Sequence, residues 1–384
     1  MTTFYRGTIE SILTSCFTVW YGACTVSFCK TLQRIKAAVR FLLSVWIFIP
    51  GCDSDVTCRN DNGAPVDWYI IYKYPRMIGG GLRYLYMDDS TNGWILSTKK
   101  ISKGALLKTL APLLDFYVSK TTDFGYLLYN DQPPGHDASS SYGHSKGVVM
   151  LDKTGKTGVW LSHSTPRFPT YRNRNFWPNN GNDNAQTFLC VTFPYDSFGE
   201  IGEQLKYIHV YPFDHYIPTD FPKELGCLTK QGCYRNKKPW YRMKTLTSKA
   251  NRKFYSFAKN KLFGKDLYSG LILKKVKKNL YVRSWGKRGR TKLLASNCED
   301  PHRHLYNVKR VELPHGAPFI DTVDHSKWCV TERGAFTCIA DLNRMESQKK
   351  RGGGAICTTN HVVGRAFRAL IRKSEPCPRK KPRG

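Results

Sequence analysis

Gly143-His144-Ser145-Lys146-Gly147-Val148-Val149 recurs far along the chain as Asp324-His325-Ser326-Lys327-Trp328-Cys329-Val330. Each copy opens a run of apolar residues that reads as a strand. One hairpin further on, each reaches a polar cluster: His163-Ser164 after the first copy, Asp341-Leu342-Asn343 after the second. Along a strand, residues i and i+2 share a face. The His and Lys of each copy therefore project together, and the central Ser turns away. The repetition is a two-fold internal echo, and two such pairs brought face to face surround one pocket with two imidazoles and two ammoniums.

Working outward, Asp67-Trp-Tyr-Ile-Ile-Tyr-Lys-Tyr74 is aromatic and β-branched and predicts a buried strand. Leu82 to Tyr86 and Phe124 to Tyr129 predict further strands, the latter ending in the turn Asn130-Asp-Gln-Pro-Pro134. Leu106 to Phe116 is apolar at helical spacing. Gly147 to Leu151 and Gly158 to Ser162 form a hairpin about Asp152 to Thr157. Thr187 to Phe193 is another strand and Phe198 to Tyr207 a short helix. Thr247 to Phe263 reads as a basic helix, Leu280 to Trp285 and Ala335 to Ala340 as strands, and His361 to Ile371 as the last helix. The fold class is α/β, with α+β-type mixed sheets and flanking helices. Residues 1–51 read as a leader, 52–205 and 206–377 as the two halves, and 378–384 as a basic tail.

His144, Lys146, His325 and Lys327 are the candidate catalytic residues. Two imidazoles and two ammoniums around one pocket suit cleavage of a phosphodiester. One neutral imidazole attacks phosphorus and the other, protonated, donates to the leaving oxygen. The lysines stabilise charge on the non-bridging oxygens. They supply the positive charge that a divalent ion would otherwise bring, so the expectation is no metal and no cofactor. His163, Ser164, Asp341 and Asn343 are candidate substrate-binding residues, with strand-end packing as the plainer reading. His209, His215, His302, His304, His315 and His361 read as ordinary surface or core histidines.

Sixty Lys and Arg against twenty-nine Asp and Glu give a formal charge of +31, a field that attracts polyanions. Lys274 to Lys278 and Lys287 to Arg290 are basic runs suited to a DNA path or to a solvated face. Charge alone does not separate nucleic acid from an anionic membrane. The thirteen Cys include no C-x-x-C pair of the zinc type, and their scatter points to an oxidising compartment. The apolar run Phe41 to Pro50 follows the basic stretch Lys30 to Arg40, the order of a signal peptide. The run is short for a membrane span, and a signal anchor is the alternative because the preceding stretch is long. No Asn-x-Ser/Thr sequon occurs.

From about Cys58 to Cys377 the chain resembles the deoxyribonuclease II family. The likeness rests on Pro65-Val-Asp-Trp68, Leu127-Leu-Tyr-Asn-Asp-Gln-Pro-Pro134, Gly143 to Gly147, Trp160-Leu-Ser-His-Ser164 and Leu189-Cys-Val-Thr-Phe-Pro194. It continues in Asp266-Leu-Tyr-Ser-Gly270, Ser296-Asn-Cys298, Asp324 to Cys329 and Arg351-Gly-Gly-Gly354. The resemblance implies a phospholipase D-like pseudo-dimer in one chain. It implies an acid endonuclease that cuts double-stranded DNA without divalent metal, through a phosphohistidine, leaving 3′-phosphate ends. It implies disulfides Cys58–Cys190, Cys298–Cys377 and Cys338–Cys357; Cys227 and Cys233 read as a further local pair and Cys329 as a buried free thiol. Where the family has Gly before Asp-x-Asn-Arg, this chain has Ala340.

The expected location is the secretory pathway, ending in the lysosome or outside the cell, with no stable membrane association once the leader is removed. The sequence specifies no oligomeric state and leaves open which imidazole attacks. Competing readings are a secreted basic toxin of the same chemistry, a phosphodiesterase of this fold acting on RNA or phospholipid, and a non-enzymatic DNA-binding protein. Intact His-x-Lys pairs in both halves argue against the last.

Overall fold

A computed structural model describes residues 55–286 and 292–378. The leader, the basic run 287–290 and most of the basic tail lie outside the described residues. Among the described residues, no helix is long and apolar enough to cross a membrane.

Two large sheets carry the fold. The first, of eight strands, contains β1 (Trp68–Lys73), β2 (Phe124–Asn130), β3 (Lys146–Asp152), β4 (Thr157–His163) and β5 (Gln186–Pro194). The second, of ten, contains β6 (Lys253–Lys259), β7 (Leu280–Arg283), β8 (Trp328–Thr331), β9 (Thr337–Ala340) and β10 (Gly353–Thr358). The strand order β2-β3-β4-β5-β1 in one sheet is repeated as β7-β8-β9-β10-β6 in the other. Every neighbouring pair in both runs is antiparallel. The motif strands β3 and β8 hold equivalent places.

The helices repeat as well. Helix α1 (Ala105–Phe116) lies between β1 and β2 in sequence, and a helical stretch from Tyr268 to Val276 lies between β6 and β7. Helices α2 (Phe198–Ile208) and α3 (His361–Ala369) follow β5 and β10. The division read at residues 205 and 206 falls inside α2, and Pro212–Tyr216 pairs with β2, so the first sheet extends past it.

Strand periodicity explains the layers. Trp68, Ile70 and Tyr72 point into the central core, while Tyr69 and Ile71 point to the outer core under α1. Val149 and Leu151 share the central side, and Val148 and Met150 the outer one. Both faces are covered, which is why these strands read as nearly continuous apolar runs. The central core also takes Phe198, Ile201 and Leu205 from α2, Val363 and Phe367 from α3, and Phe254, Trp328 and Val330 from the second sheet. The largest apolar cluster is thus the seam between the halves.

The stretch Thr247 to Phe263 corrects the expected basic helix. It is the end of strand Tyr241–Thr247, a turn, β6, and a 3₁₀ turn at Lys261–Phe263. The turn is closed by Ser248 N–H donating to Arg252 O (2.9 Å), with Asn251 in the left-handed region at φ 64°. Lys and Ala favour helix locally. Here Phe254 and Ala258 face the central core while Phe257 faces a third cluster under the helical stretch Tyr268 to Val276, and pairing on both edges of β6 outweighs that preference.

The four bridges Cys58–Cys190, Cys227–Cys233, Cys298–Cys377 and Cys338–Cys357 form as expected, and Cys329 is a buried free thiol. Cys58–Cys190 ties the first described strand to the middle of β5 across 132 residues of chain. Replacing both cysteines with Ala is expected to lower stability by about 2–5 kcal/mol. Equilibrium denaturation of the folded protein measures it, and a loss within error would show that the bridge adds nothing.

Candidate active site

Each motif runs directly into its strand, and each is held by the opposite half. The backbone N–H of His144 donates to Gly352 O (2.9 Å), and that of His325 donates to Ala185 O (2.8 Å). Gly352 is the residue immediately before β10, and Ala185 the residue immediately before β5. These are equivalent positions, so the two halves exchange one hydrogen bond each at the two candidate histidines. Gly143 N–H adds a bond to His209 O (2.8 Å), and Ala185 bridges to Asp324. At Gly352 an added Cβ would lie 1.9 Å from Ile208 O, so the approach of the halves needs glycine there.

The side chains gather in one place. Lys146 and Lys327 are buried. Lys327 lies near enough to depress the titration of His144, and Lys146 and His144 depress that of His325. The structure therefore brings together all four residues of the paired motifs. The central serine of the second copy faces elsewhere, as expected from the i, i+2 rule; Ser326 Oγ lies 2.8 Å from Tyr72 Oη at the seam.

The two histidines differ in their support. His144 Nδ1 is 2.7 Å from Asp131 Oδ2, so the Nδ1–H donates to the carboxylate and Nε2 is left with its lone pair. Asp131 also pairs with Lys146 and, at 3.2 Å, with Arg351 of the second half. Burial disfavours the Asp131 carboxylate, but His144, Lys146 and Arg351 hold it well below the usual range. Near the second motif the neighbouring acid, Asp324, stands where the first copy has Gly143 and is engaged away from the imidazole. Asp324 Oδ2 accepts from Arg283 Nε (2.7 Å) and Tyr72 Oη (2.7 Å), with Arg283 and Asp324 fully buried. His325 instead packs against Trp285, ring centroids 4.8 Å apart.

Burial pulls His144 down to about 3, with Asp131 opposing and Lys146 and Lys327 adding to the fall. Burial, Lys327 and Lys146 pull His325 down to about 2. Lys327 is brought to about 7, first by burial and then by Lys146. Burial raises Asp341 to about 7. A site with two lysines and depressed imidazoles is short of negative charge, the electrostatic complement of a phosphodiester.

The remaining expected residues fall into two groups. His163 is buried, packs on Phe168 and Phe188, and accepts from Thr165 N–H through Nδ1 (3.2 Å). Its Nε2 meets no partner among the described residues and faces the field of Lys146 and Lys327, a spare donor at the site. Asp341 accepts from Gly354 N–H (2.8 Å) and fronts the same two lysines. Ser164 is occupied elsewhere: its Oγ donates to Gln186 Oε1 (2.6 Å) and accepts from Thr187 N–H. Asn343 Oδ1 accepts from Trp285 N–H (3.2 Å) and so braces the wall beside His325. Asp131, Arg351, Asp324 and Arg283 escaped the sequence reading. The available signal was that Asp131 directly follows β2, one step past the Asn130–Lys146 pair.

A family profile described as Deoxyribonuclease II matches residues 57–377. The chain is 38% identical over 360 residues to deoxyribonuclease-2-alpha of Rattus norvegicus, covering 89% of this chain and 100% of that protein. It is 36% identical over 344 residues to Plancitoxin-1 of Acanthaster planci, covering 85% and 94%. It is 35% identical over 363 residues to deoxyribonuclease-2-beta of Homo sapiens, covering 91% and 99%.

The depressed imidazoles set a pH dependence of stability. Below ~6.5 the unfolded chain takes up protons that the native His144 and His325 refuse until about 3 and about 2. Their contribution to stability is complete above ~6.5 and falls as the pH drops. Asp341, raised to about 7, acts in the opposite sense over part of that window. Thermal melts between pH ~7 and ~4 are expected to fall less steeply for His144→Gln/His325→Gln than for the native protein. Inorganic phosphate, which favours imidazolium, is expected to flatten the native curve. Identical slopes would show that these imidazoles are not depressed.

Proposed function

The chain belongs to the deoxyribonuclease II family, a deoxyribonuclease with DNA as its substrate, and from that premise we propose that it cuts double-stranded DNA without divalent metal through a phosphohistidine on His144. The observation that carries the assignment is the 2.7 Å contact between His144 Nδ1 and Asp131 Oδ2. It leaves Nε2 free to attack and places a carboxylate to stabilise the imidazolium formed when phosphorus bonds to Nε2. Among the described residues His325 has no such carboxylate partner, and it serves as the acid.

In the first step His144 Nε2 forms a bond to phosphorus. The bond to the 5′-oxygen breaks, and that oxygen takes a proton from His325. The 3′-phosphoryl group is then on His144. In the second step neutral His325 takes a proton from water, the oxygen of that water bonds to phosphorus, and the P–N bond breaks. The products are a 3′-phosphate and the starting imidazoles. Lys146 and Lys327 hold the non-bridging oxygens throughout, and His163 Nε2–H supplies a further donor. The phosphodiester charge raises the imidazoles from their depressed unliganded state, and a mechanism that needs imidazolium favours acid pH.

Four disulfides support a route through the secretory pathway, with the lysosome and DNA breakdown as destination and role. A secreted, toxin-like deoxyribonuclease is the second reading. It is favoured by the charge of +31 and by a likeness to Plancitoxin-1 nearly as strong as that to the deoxyribonuclease-2 enzymes.

Supercoiled plasmid at pH ~5 with excess chelator is expected to be nicked by the native protein and not by His144→Ala. A requirement for added magnesium, or activity that survives loss of His144, would sink the mechanism. His325→Ala is expected to lose DNA cleavage while still releasing a stoichiometric burst of p-nitrophenolate from a p-nitrophenyl phosphodiester, whose leaving group needs no proton, with turnover slowed because the second step lacks its base. Asp131→Asn is expected to lower kcat by about 10²–10⁴ by favouring the wrong tautomer. Steady-state kinetics with Asp131→Asn at native rates would remove the carboxylate from the mechanism.

A further inference from the structure

Two buried lysines outside the motifs occupy equivalent places. Lys73 is the last residue of β1 and Lys259 the last residue of β6, and both are fully buried. Neither belongs to an ion pair among the described residues. Each instead gives its ammonium to three backbone carbonyls. Lys73 Nζ donates to Tyr74 O (2.6 Å), Gly81 O (3.0 Å) and Asn182 O (3.3 Å). Lys259 Nζ donates to Gln348 O (3.4 Å), Lys349 O (3.0 Å) and Arg351 O (2.6 Å).

At the second clamp all three carbonyls belong to the segment that ends at the contact with His144; at the first, Asn182 O belongs to the segment that ends at the contact with His325, and Lys73 ties it to Tyr74 O and Gly81 O. Asn182 stands shortly before Ala185, whose carbonyl receives His325 N–H; Arg351 stands directly before Gly352, whose carbonyl receives His144 N–H. We infer that Lys73 and Lys259 are positioning residues, each fixing in its own half the segment whose carbonyl holds the reacting histidine of the other half.

Three features support this over simple packing. An ammonium has three donors, and here three carbonyls use them. A buried cation without a counter-ion is disfavoured, and burial pulls Lys73 to about 7 and Lys259 to about 8. An apolar side chain would fill the same space without that cost. The close approach at the first clamp is also built in: a Cβ added to Gly81 would lie 2.0 Å from Asn182 O. The inference rests on reading His144 and His325 as the reacting groups.

The test uses full-length protein labelled with [¹⁵N]histidine, in which the amide exchange of His144 and His325 is followed separately. Lys73→Met is expected to speed exchange at the His325 amide and leave His144 unchanged; Lys259→Met is expected to do the reverse. Each variant is expected to lose kcat by about 10²-fold with KM little altered, the effect of misplacing a reacting group by about an ångström. Gly352→Ala touches no charge, displaces the same carbonyl, and is expected to reproduce the Lys259→Met pattern. Should a Met variant fail to fold, Lys→Gln keeps two of the three donors and is read in the same way. Equal acceleration at both amides, unchanged exchange at both, or a loss confined to KM overturns the inference. If His144→Ala remains active, the reading of the histidines fails, while the amide pattern still decides the clamp.

Discussion

The paired hydrogen bonds from His144 N–H to Gly352 O and from His325 N–H to Ala185 O are the constraint on which the site depends. Neither half positions its own histidine alone. The carbonyl that each imidazole-bearing residue needs lies at the mouth of the equivalent strand in the other sheet. Buried backbone groups must be paired, so the halves cannot separate without leaving donors and acceptors orphaned at the reacting centre. The central core, built from both sheets and from α2 and α3, supplies the apolar burial that keeps this exchange in register.

Within that near-symmetric frame, the chemistry is asymmetric. Two identical His-Ser-Lys phrases receive different neighbours. The first imidazole meets a carboxylate that is itself held by Lys146 and Arg351. The acid beside the second imidazole is taken up by Arg283, Tyr72 and the backbone of Ser326. Two titratable groups of one kind are thereby given different environments, an arrangement suited to the proposed division into a nucleophilic and an acid step. Much of the surrounding charge is buried and unusually placed: Lys73, Lys146, Lys259 and Lys327 are all withdrawn from solvent. Such a concentration is tolerable because carbonyls and a few carboxylates answer it, and because the ligand is an anion.

The sequence was a good guide where local pattern and burial agree. Alternating and continuous apolar runs marked β1 to β5, and the repeated phrase located both motif strands. It misled at residues 247–263, where lysine-rich composition suggested a helix and sheet pairing on two edges made a strand. It was silent on Asp131, read as part of a turn, because its role appears only when the turn is laid beside β3. Ser164 and Asn343 sit in the right neighbourhood but are bound to Gln186, Thr187 and Trp285, contacts that no spacing announces.

By itself the sequence determined the candidate reacting groups, the strand faces from which they project, the basic field and a cysteine complement suited to disulfides. These follow from residue chemistry and from periodicities of a few positions. Tertiary structure alone decided which carbonyl holds each histidine, which carboxylate reaches which imidazole, and where four lysines lose their water. Those outcomes depend on pairing between segments far apart in the chain, where hydrogen-bond satisfaction and desolvation are settled only once the two sheets close on each other.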